Sequence, residues 1–272
     1  MNDSYAERFG GIQRLYGASQ VERFRQSHVC IVGIGGVGSW AAEAIARTGI
    51  GRITLIDLDD ICVTNTNRQI QALSNTIGQM KTDVLAERIR AINPACEVIA
   101  IEDFLTAETL DEYLSSDFDV VIDCIDSVKS KAAIINACKR RKIPLVTVGG
   151  AGGQIDPTRI QVADLAKAYN DPLLARVKTT LRREYGFPKG EKSKFGVECI
   201  FSSETLKYPQ LDGSVCATKV ANTEGGAMKL DCNTGFGAAV MVTGSFGFFA
   251  AARAIEKLLK KPRPQPAGES SQ

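Results

Sequence analysis

The sequence predicts an α/β fold: a doubly wound, mainly parallel sheet with a C-terminal extension. Three observations predict it. Short apolar runs alternate with segments of helical periodicity over about the first 150 of 272 residues, which implies parallel strands joined by right-handed crossovers. The strands lack an apolar/polar alternation, as expected of a sheet covered on both faces. A glycine-rich turn at 33–39 sits between the first such strand and a helix, where doubly wound sheets place their ligand. No internal repeat competes with this reading.

The elements follow in order. Residues 19–26 read as a short amphipathic helix and 28–32 (HVCIV) as a buried strand ending at Gly33. A helical pattern over 37–48 is closed by Gly49, a common residue just past a helix end. Residues 52–57 form the second strand, and 82–92 a helix stopped by Asn93-Pro94. Strands are expected at 97–101, 119–124 and 144–148, with a helix over 129–141 between the last two. The run Gly149-Gly150-Ala151-Gly152-Gly153 is a flexible hinge or a place where backbones approach closely. A strand-like stretch at 158–162 follows, then a basic region. Between 176 and 194 stand Arg176, Lys178, Arg182, Arg183, Lys189, Lys192 and Lys194 against Glu184 and Glu191. The proline-rich end, 261–272, reads as a disordered tail.

Composition narrows the function classes. At 44% hydrophobic, 24% charged and a formal net charge of +2, the whole chain carries no charge signature of a nucleic-acid partner, so any such surface has to be local. Eight cysteines are present, none in a C-x-x-C pair, which argues against a structural zinc site. The polar N-terminus carries no apolar export signal, so a reducing cytoplasm is the expected location. Residues 235–252 are uncharged and near the minimum length of a membrane span. A buried core helix is the favoured reading, with no stable span, and peripheral association with the inner membrane stays open. The single histidine, His28, opens a strand and reads as structural.

The turn Gly33-Ile34-Gly35-Gly36-Val37-Gly38-Ser39 is a nucleotide site by its context. Glycines permit the tight turn and close approach to phosphate, and the helix behind presents free N–H groups. Asp57, closing the second strand, accepts from ribose hydroxyls. The turn alone does not separate a redox cofactor from ATP. The sequence beyond it does: Asp57, Asp59, Asn65, Arg68 and Gln69, then Lys81. A triphosphate needs fixed donors to counter charge on the transferred phosphorus, and a hydride-transfer site has little use for them.

In these motifs, taken in register from about Arg8 to Val148, the chain resembles the adenylating enzymes of the ThiF/MoeB/HesA group, relatives of the ubiquitin-activating enzymes. The resemblance implies a Rossmann-like core over 1–150 that binds ATP and Mg2+. It implies that Asp57 binds ribose, that Asn65, Arg68 and Lys81 contact phosphates, and that Asp126, followed by Ser127, holds magnesium. It also implies a homodimer in which an N-terminal arginine, Arg8 or Arg14, reaches across the partner's phosphates. The sulfur-carrier activators of the group carry two C-x-x-C pairs that this chain lacks, which counts against a protein C-terminus as substrate.

The second half, through 149–158 (GGAGGQIDPT), 164–168, 171–175 and 231–239, resembles the tRNA-modifying dehydratases of that group. This implies adenylation of the carboxylate of a threonylcarbamoyladenosine beside the tRNA anticodon, then ring closure to an oxazolone with loss of AMP. Residues 151–260 would complete the same domain, bind tRNA and form the dimer contact. The basic stretch then faces RNA phosphates, with Tyr185 and Phe187 available to stack on bases. Cys232 reads as a buried structural residue. The minority reading is a sulfur-accepting thiol, because the family is linked to a cysteine desulfurase. Two alternatives remain: adenylation of a sulfur-carrier C-terminus, and a nonenzymatic nucleotide-sensing or scaffold subunit.

Overall fold

The structure, a computed structural model, describes residues 4–190, 192–210, 212–217 and 236–260. Two helices lead in, α1 (Ser4–Tyr16) and α2 (Ala18–Gln26). The chain then alternates β1 (His28–Val32), α3 (Gly38–Arg47), β2 (Arg52–Ile56), α4 (Lys81–Ile92), β3 (Glu97–Ile101), the single turn α5 (Leu110–Tyr113), β4 (Val120–Asp123), α6 (Val128–Arg141) and β5 (Leu145–Val148). Beyond β5 come β6 (Ile160–Asp164), α7 (Pro172–Glu184), β7 (Glu198–Ser202), the hairpin β8 (Tyr208–Pro209) and β9 (Val215–Cys216), and α8 (Val240–Lys260).

Seven strands form one sheet in the order β3-β2-β1-β4-β5-β7-β6. All neighbours are parallel except β6 on β7. Strand order reverses between β1 and β4, which opens the crevice where such sheets bind ligands. The register brings Val32 level with Ile56 and Asp123, so Gly33, Asp57 and Cys124 leave the sheet side by side.

The pleat divides the core in two, because successive side chains of a strand point to opposite faces. Val29, Ile31, Ile53, Leu55 and Ile122 pack with α3, α4 and α8 on one face. Cys30, Val32, Ile56, Val121 and Cys199 pack with α5, α6 and α7 on the other. β1, β4 and β5 are buried along their length and β2 nearly so, as their continuous apolar sequences required, whereas the edge strand β3 is half exposed.

The 240–260 segment is a helix that lays Val242, Phe246, Ala250 and Ala254 on α3 as core. Among the described residues no helix is long and apolar enough to cross a membrane. The strand expected at 158–162 begins two residues later, because Asp156 caps a short 3-10 turn over Pro157–Arg159. Gly149–Gly153 is a place of close approach rather than a hinge: a Cβ on Gly149 would stand 2.0 Å from Asp171 Oδ2, and those on Gly152 and Gly153 would meet Phe236. The basic stretch is not one loop. Arg176, Lys178, Arg182 and Arg183 lie on α7, whose Leu174, Val177 and Leu181 are buried. Phe187 is core, 6% exposed and edge-on to Phe195, so the expectation that it stacks on RNA bases fails. Its place after α7 turns it inward against Phe195 and the Lys139 ammonium. Glu191, Cys232 and the 261–272 tail lie outside the described residues.

Candidate active site

The glycine turn takes its shape from contact between its own ends. Gly33 has φ +79°, and a Cβ there would stand 2.7 Å from the Ile125 side chain. A Cβ on Gly38 would lie 1.9 Å from the Gly33 carbonyl oxygen. Side chains at either position would push α3 off the strand, so both glycines are dictated by packing. The Ser39 amide donates to the Gly35 carbonyl. The serine itself is fully buried beneath the turn, with no hydrogen-bond partner for its hydroxyl among the described residues. Buried there, it supports the turn from within and is not exposed to a ligand, whereas the sequence placed it among the nucleotide-binding residues.

Asp57 ties the turn to β2. Its carboxylate accepts the Ile34 amide at 2.8 Å and the Asp59 amide at 3.0 Å. Burial pushes the Asp57 carboxyl above the ordinary aspartate value, against the opposing pull of Lys81 and these amides. The Lys81 ammonium donates to Asp59 at 2.6 Å and lies 3.9 Å from Asp57. It opens α4, and its side chain is only 6% exposed. A cation so enclosed, set between two carboxylates beside a glycine turn, is a fixed charge rather than a solvated one.

The segment between Asp59 and Lys81 wraps over the turn. Asn65 is buried and accepts the Cys62 amide. Arg68 lays its aliphatic stem over Gly36, whose Cβ position is 3.2 Å from Arg68 Cδ. Its guanidinium donates to the Thr64 carbonyl and to Asn67. Gln69 is buried, with its side-chain amide 3.7 Å from the Cβ position of Gly35. Two residues that sequence reasoning passed over hold this wrap in place. Gln71, almost fully buried, donates to the Ile34 carbonyl, and Trp40 on α3 donates to the Arg68 carbonyl. Neither belongs to a motif; only their hydrogen bonds into the wrap beside the turn identify them.

Asp126 is exposed in the loop after β4, two residues beyond the Cys124 backbone that faces Gly33. Ser127 caps α6 by accepting the Ser130 amide. Gly33, Gly35, Gly36, Asp57, Asn65, Arg68, Gln69, Lys81 and Asp126 thus converge on the carboxyl ends of β1, β2 and β4. Arg8 and Arg14 do not. Arg8 donates to the Ile92 carbonyl, at the amino ends of the strands, and Tyr5 of the same helix bonds Gly49 there. Arg14 folds back on its own helix near Gly10 and Gly11. Within one chain neither arginine meets the turn.

The model of the ThiF family matches residues 10–272. The chain is 56% identical to the tRNA threonylcarbamoyladenosine dehydratase of Escherichia coli K12, over 97% of this chain and 98% of the relative. It is 53% identical to the protein of that name from Haemophilus influenzae, over 95% and 96%. The solved structure of the E. coli N6-threonylcarbamoyladenosine dehydratase in complex with ATP superposes with a TM-score of 0.84 at 52% identity, over 95% of this chain and 96% of that one. By contrast, the E. coli sulfur carrier protein ThiS adenylyltransferase aligns over 49% of this chain and 54% of its own length, at 35% identity. The chain therefore belongs to the ThiF family and, within it, to the family of the tRNA threonylcarbamoyladenosine dehydratases.

Proposed function

We propose that this chain is an ATP-dependent tRNA-modifying enzyme that dehydrates N6-threonylcarbamoyladenosine through an adenylated carboxylate. The observation that carries the reading is the enclosed Lys81 cation beside the glycine turn, together with near full-length identity to dehydratases of that name, one of them solved with ATP.

The chemistry suits this donor set. A threonyl carboxylate is already ionised at neutral pH, so attack on the α-phosphorus requires no general base. Its oxygen bonds to phosphorus and pyrophosphate leaves. The residues' work is in-line positioning and charge neutralisation by Lys81 and Arg68. The ureido oxygen of the same group then attacks the acyl carbon and AMP departs with the former carboxylate oxygen. One ureido proton is lost and the five-membered ring closes. The net change is removal of one water at the expense of ATP. Because the attacking atom belongs to the same group, the second step enjoys a high effective concentration and a catalytic thiol has no place in it.

Two finer features belong to the same proposal. Asp126 would hold magnesium against the phosphates. A lone exposed carboxylate suits this ion, which keeps several waters and takes one or two carboxylates plus phosphate oxygens. Arg8 or Arg14 would act from the partner copy of a homodimer, since within one chain both lie away from the turn.

The test is incubation with ATP, magnesium and tRNA bearing threonylcarbamoyladenosine, read by nucleoside mass spectrometry. The expected result is loss of one water from that nucleoside. In Lys81→Ala the rate should fall on the order of 10²–10³-fold, the effect of removing one preorganised donor. An unchanged nucleoside under conditions where ATP binds overturns the proposal.

A further inference from the structure

A second cavity opens at the carboxyl edge of the sheet, away from the glycine turn. It has a volume of about 370 Å³, and its lining includes Tyr169, Asn170, Asp171, Lys178, Leu206 and Tyr208. We propose that it receives the purine of the modified adenosine, stacked on Tyr169 and Tyr208. The inference rests on the tRNA-modifying reading above and names where that substrate sits.

Position is the first argument. Asp171 anchors the cavity to the end of β5: its Oδ2 accepts the Gly150 amide at 2.9 Å and its Oδ1 accepts the Leu174 amide at 2.9 Å. Gly150 follows β5 by two residues, and β5 lies two strands from β1 in the sheet. At the usual spacing between strands the offset from the glycine turn is about 10 Å. A purine held in the cavity therefore directs its threonylcarbamoyl arm along the carboxyl edge, past the loop after β4 that carries Asp126, toward the α-phosphorus.

The lining is the second. Tyr169 is 48% exposed although its ring packs edge-on against Phe201 at 5.4 Å. That contact steadies the ring without covering it. Tyr208 is half-buried, with its ring tilted on Phe236 at 5.1 Å. Phe236 in turn sits over Gly152 and Gly153, and the Lys207 amide donates to the Gly153 carbonyl. The glycine-rich segment after β5 thereby fixes the hairpin that carries Tyr208. Single-stranded RNA bases are recognised by stacking on such aromatic rings and by hydrogen bonds to their edges.

The polar inventory fits a neutral base. Both carboxylate oxygens of Asp171 are occupied by backbone amides. The Lys178 ammonium donates to the Ala168 carbonyl at 2.6 Å and has two further protons for a ring nitrogen or carbonyl. Asn170, in the left-handed region at φ 55°, is held there by its bond to the Ser203 carbonyl, which places it at the rim between the two tyrosine-bearing segments.

The experiment uses the full chain with an anticodon stem-loop RNA bearing threonylcarbamoyladenosine. Tyr169→Ala and Tyr208→Ala should each raise KM for this RNA about 10-fold, the scale of one lost base–aromatic stack, with AMP affinity unchanged. Tyr169→Phe should retain the wild-type KM. The same stem-loop with 8-azidoadenosine at the modified position should, on irradiation, label peptides containing Tyr169 or Tyr208. Unaltered KM in both alanine variants, or labelling confined to other peptides, overturns the cavity assignment even when the wild type dehydrates its substrate. Absence of dehydration by the wild type bears on the reaction, and the photolabel still reads the cavity.

Discussion

Two halves of one sheet edge do different work and are built differently. The half proposed for the nucleotide, at the ends of β1 and β2, is built around backbone: a glycine turn and two amides held by Asp57, with the Lys81 cation set between Asp57 and Asp59. The half at the ends of β5 and β7 is made of side chains from separate segments, Tyr169, Lys178 and Tyr208, brought together only by the fold. Each half has a buried aspartate accepting two backbone amides, Asp57 in one and Asp171 in the other. A site for a phosphate chain common to many enzymes tolerates little variation of its backbone, whereas a site for one particular base is set by rings that any exposed loop can carry.

The sharpest way to break the comparison is to put the same methyl group into each half. In Gly38→Ala the new Cβ collides with the Gly33 carbonyl at 1.9 Å. In Gly149→Ala it collides with Asp171 at 2.0 Å. Both variants should lose about 3 kcal/mol of stability in urea unfolding, the upper range for overpacking a filled site. Their ligand effects should diverge. Gly38→Ala should abolish AMP binding in calorimetry, while Gly149→Ala should keep AMP affinity within a few-fold and lose turnover on tRNA. Equal loss of AMP binding in both would show that the edge is one site without separate halves.

How much was legible follows from the same difference. The order of β1 to β5 with α2, α3, α4 and α6 could be read from apolar strand runs and helical periodicity, whereas α1 and the single turn α5 were not read. The grouping of Gly33, Gly38, Asp57 and Lys81 could be read because they are close in sequence and keep a spacing fixed by strand and helix geometry; their part in holding a nucleotide is the proposal. Tyr169 and Tyr208 could not, since 39 positions separate them and neither is part of a periodic pattern. The basic stretch misled in one respect. Its charges suggested that neighbouring Tyr185 and Phe187 were free to stack, yet Phe187 completes the core under α7. Composition reports what a segment contains; only packing decides which of its residues face outward.

That correction sharpens the test of the basic surface. Arg182 lies over the Phe195 ring at 5.2 Å, so replacing it disturbs packing as well as charge. Arg176 and Arg183 are exposed on α7 and, two helical turns apart, share a face. Arg176→Glu with Arg183→Glu should weaken tRNA binding about 10-fold at physiological salt and flatten the salt dependence by about two counterions. AMP affinity should stay as in the wild type. A filter-binding titration at several salt concentrations reads both quantities, and an unchanged slope removes α7 from the RNA surface.

The smallest expected effect distinguishes the two buried aspartates. Burial raises both carboxyls above the ordinary aspartate value. If Asp57 is the ribose acceptor, ribose hydroxyls donate to its ionised carboxylate, so a bound nucleotide would favour the charged form of Asp57 and lower its raised value. Nucleotide affinity contributed by Asp57 is therefore complete above that raised value and is lost as pH falls through it. The loss begins at a higher pH than for a free aspartate, which titrates near about 3.9. Titration of the phosphate is common to every variant and cancels in the ratio of affinities. The ratio of wild-type to Asp57→Asn affinity for AMP should fall several-fold toward unity on acidification, followed by calorimetry over the range in which the protein stays folded. The corresponding ratio for Asp171→Asn should stay flat, because Asp171 serves the other half of the edge. A slope in the Asp171 ratio equal to that of Asp57 would mean that the two aspartates respond to one ligand, and the division between a backbone-built nucleotide half and a side-chain-built base half would have to be redrawn.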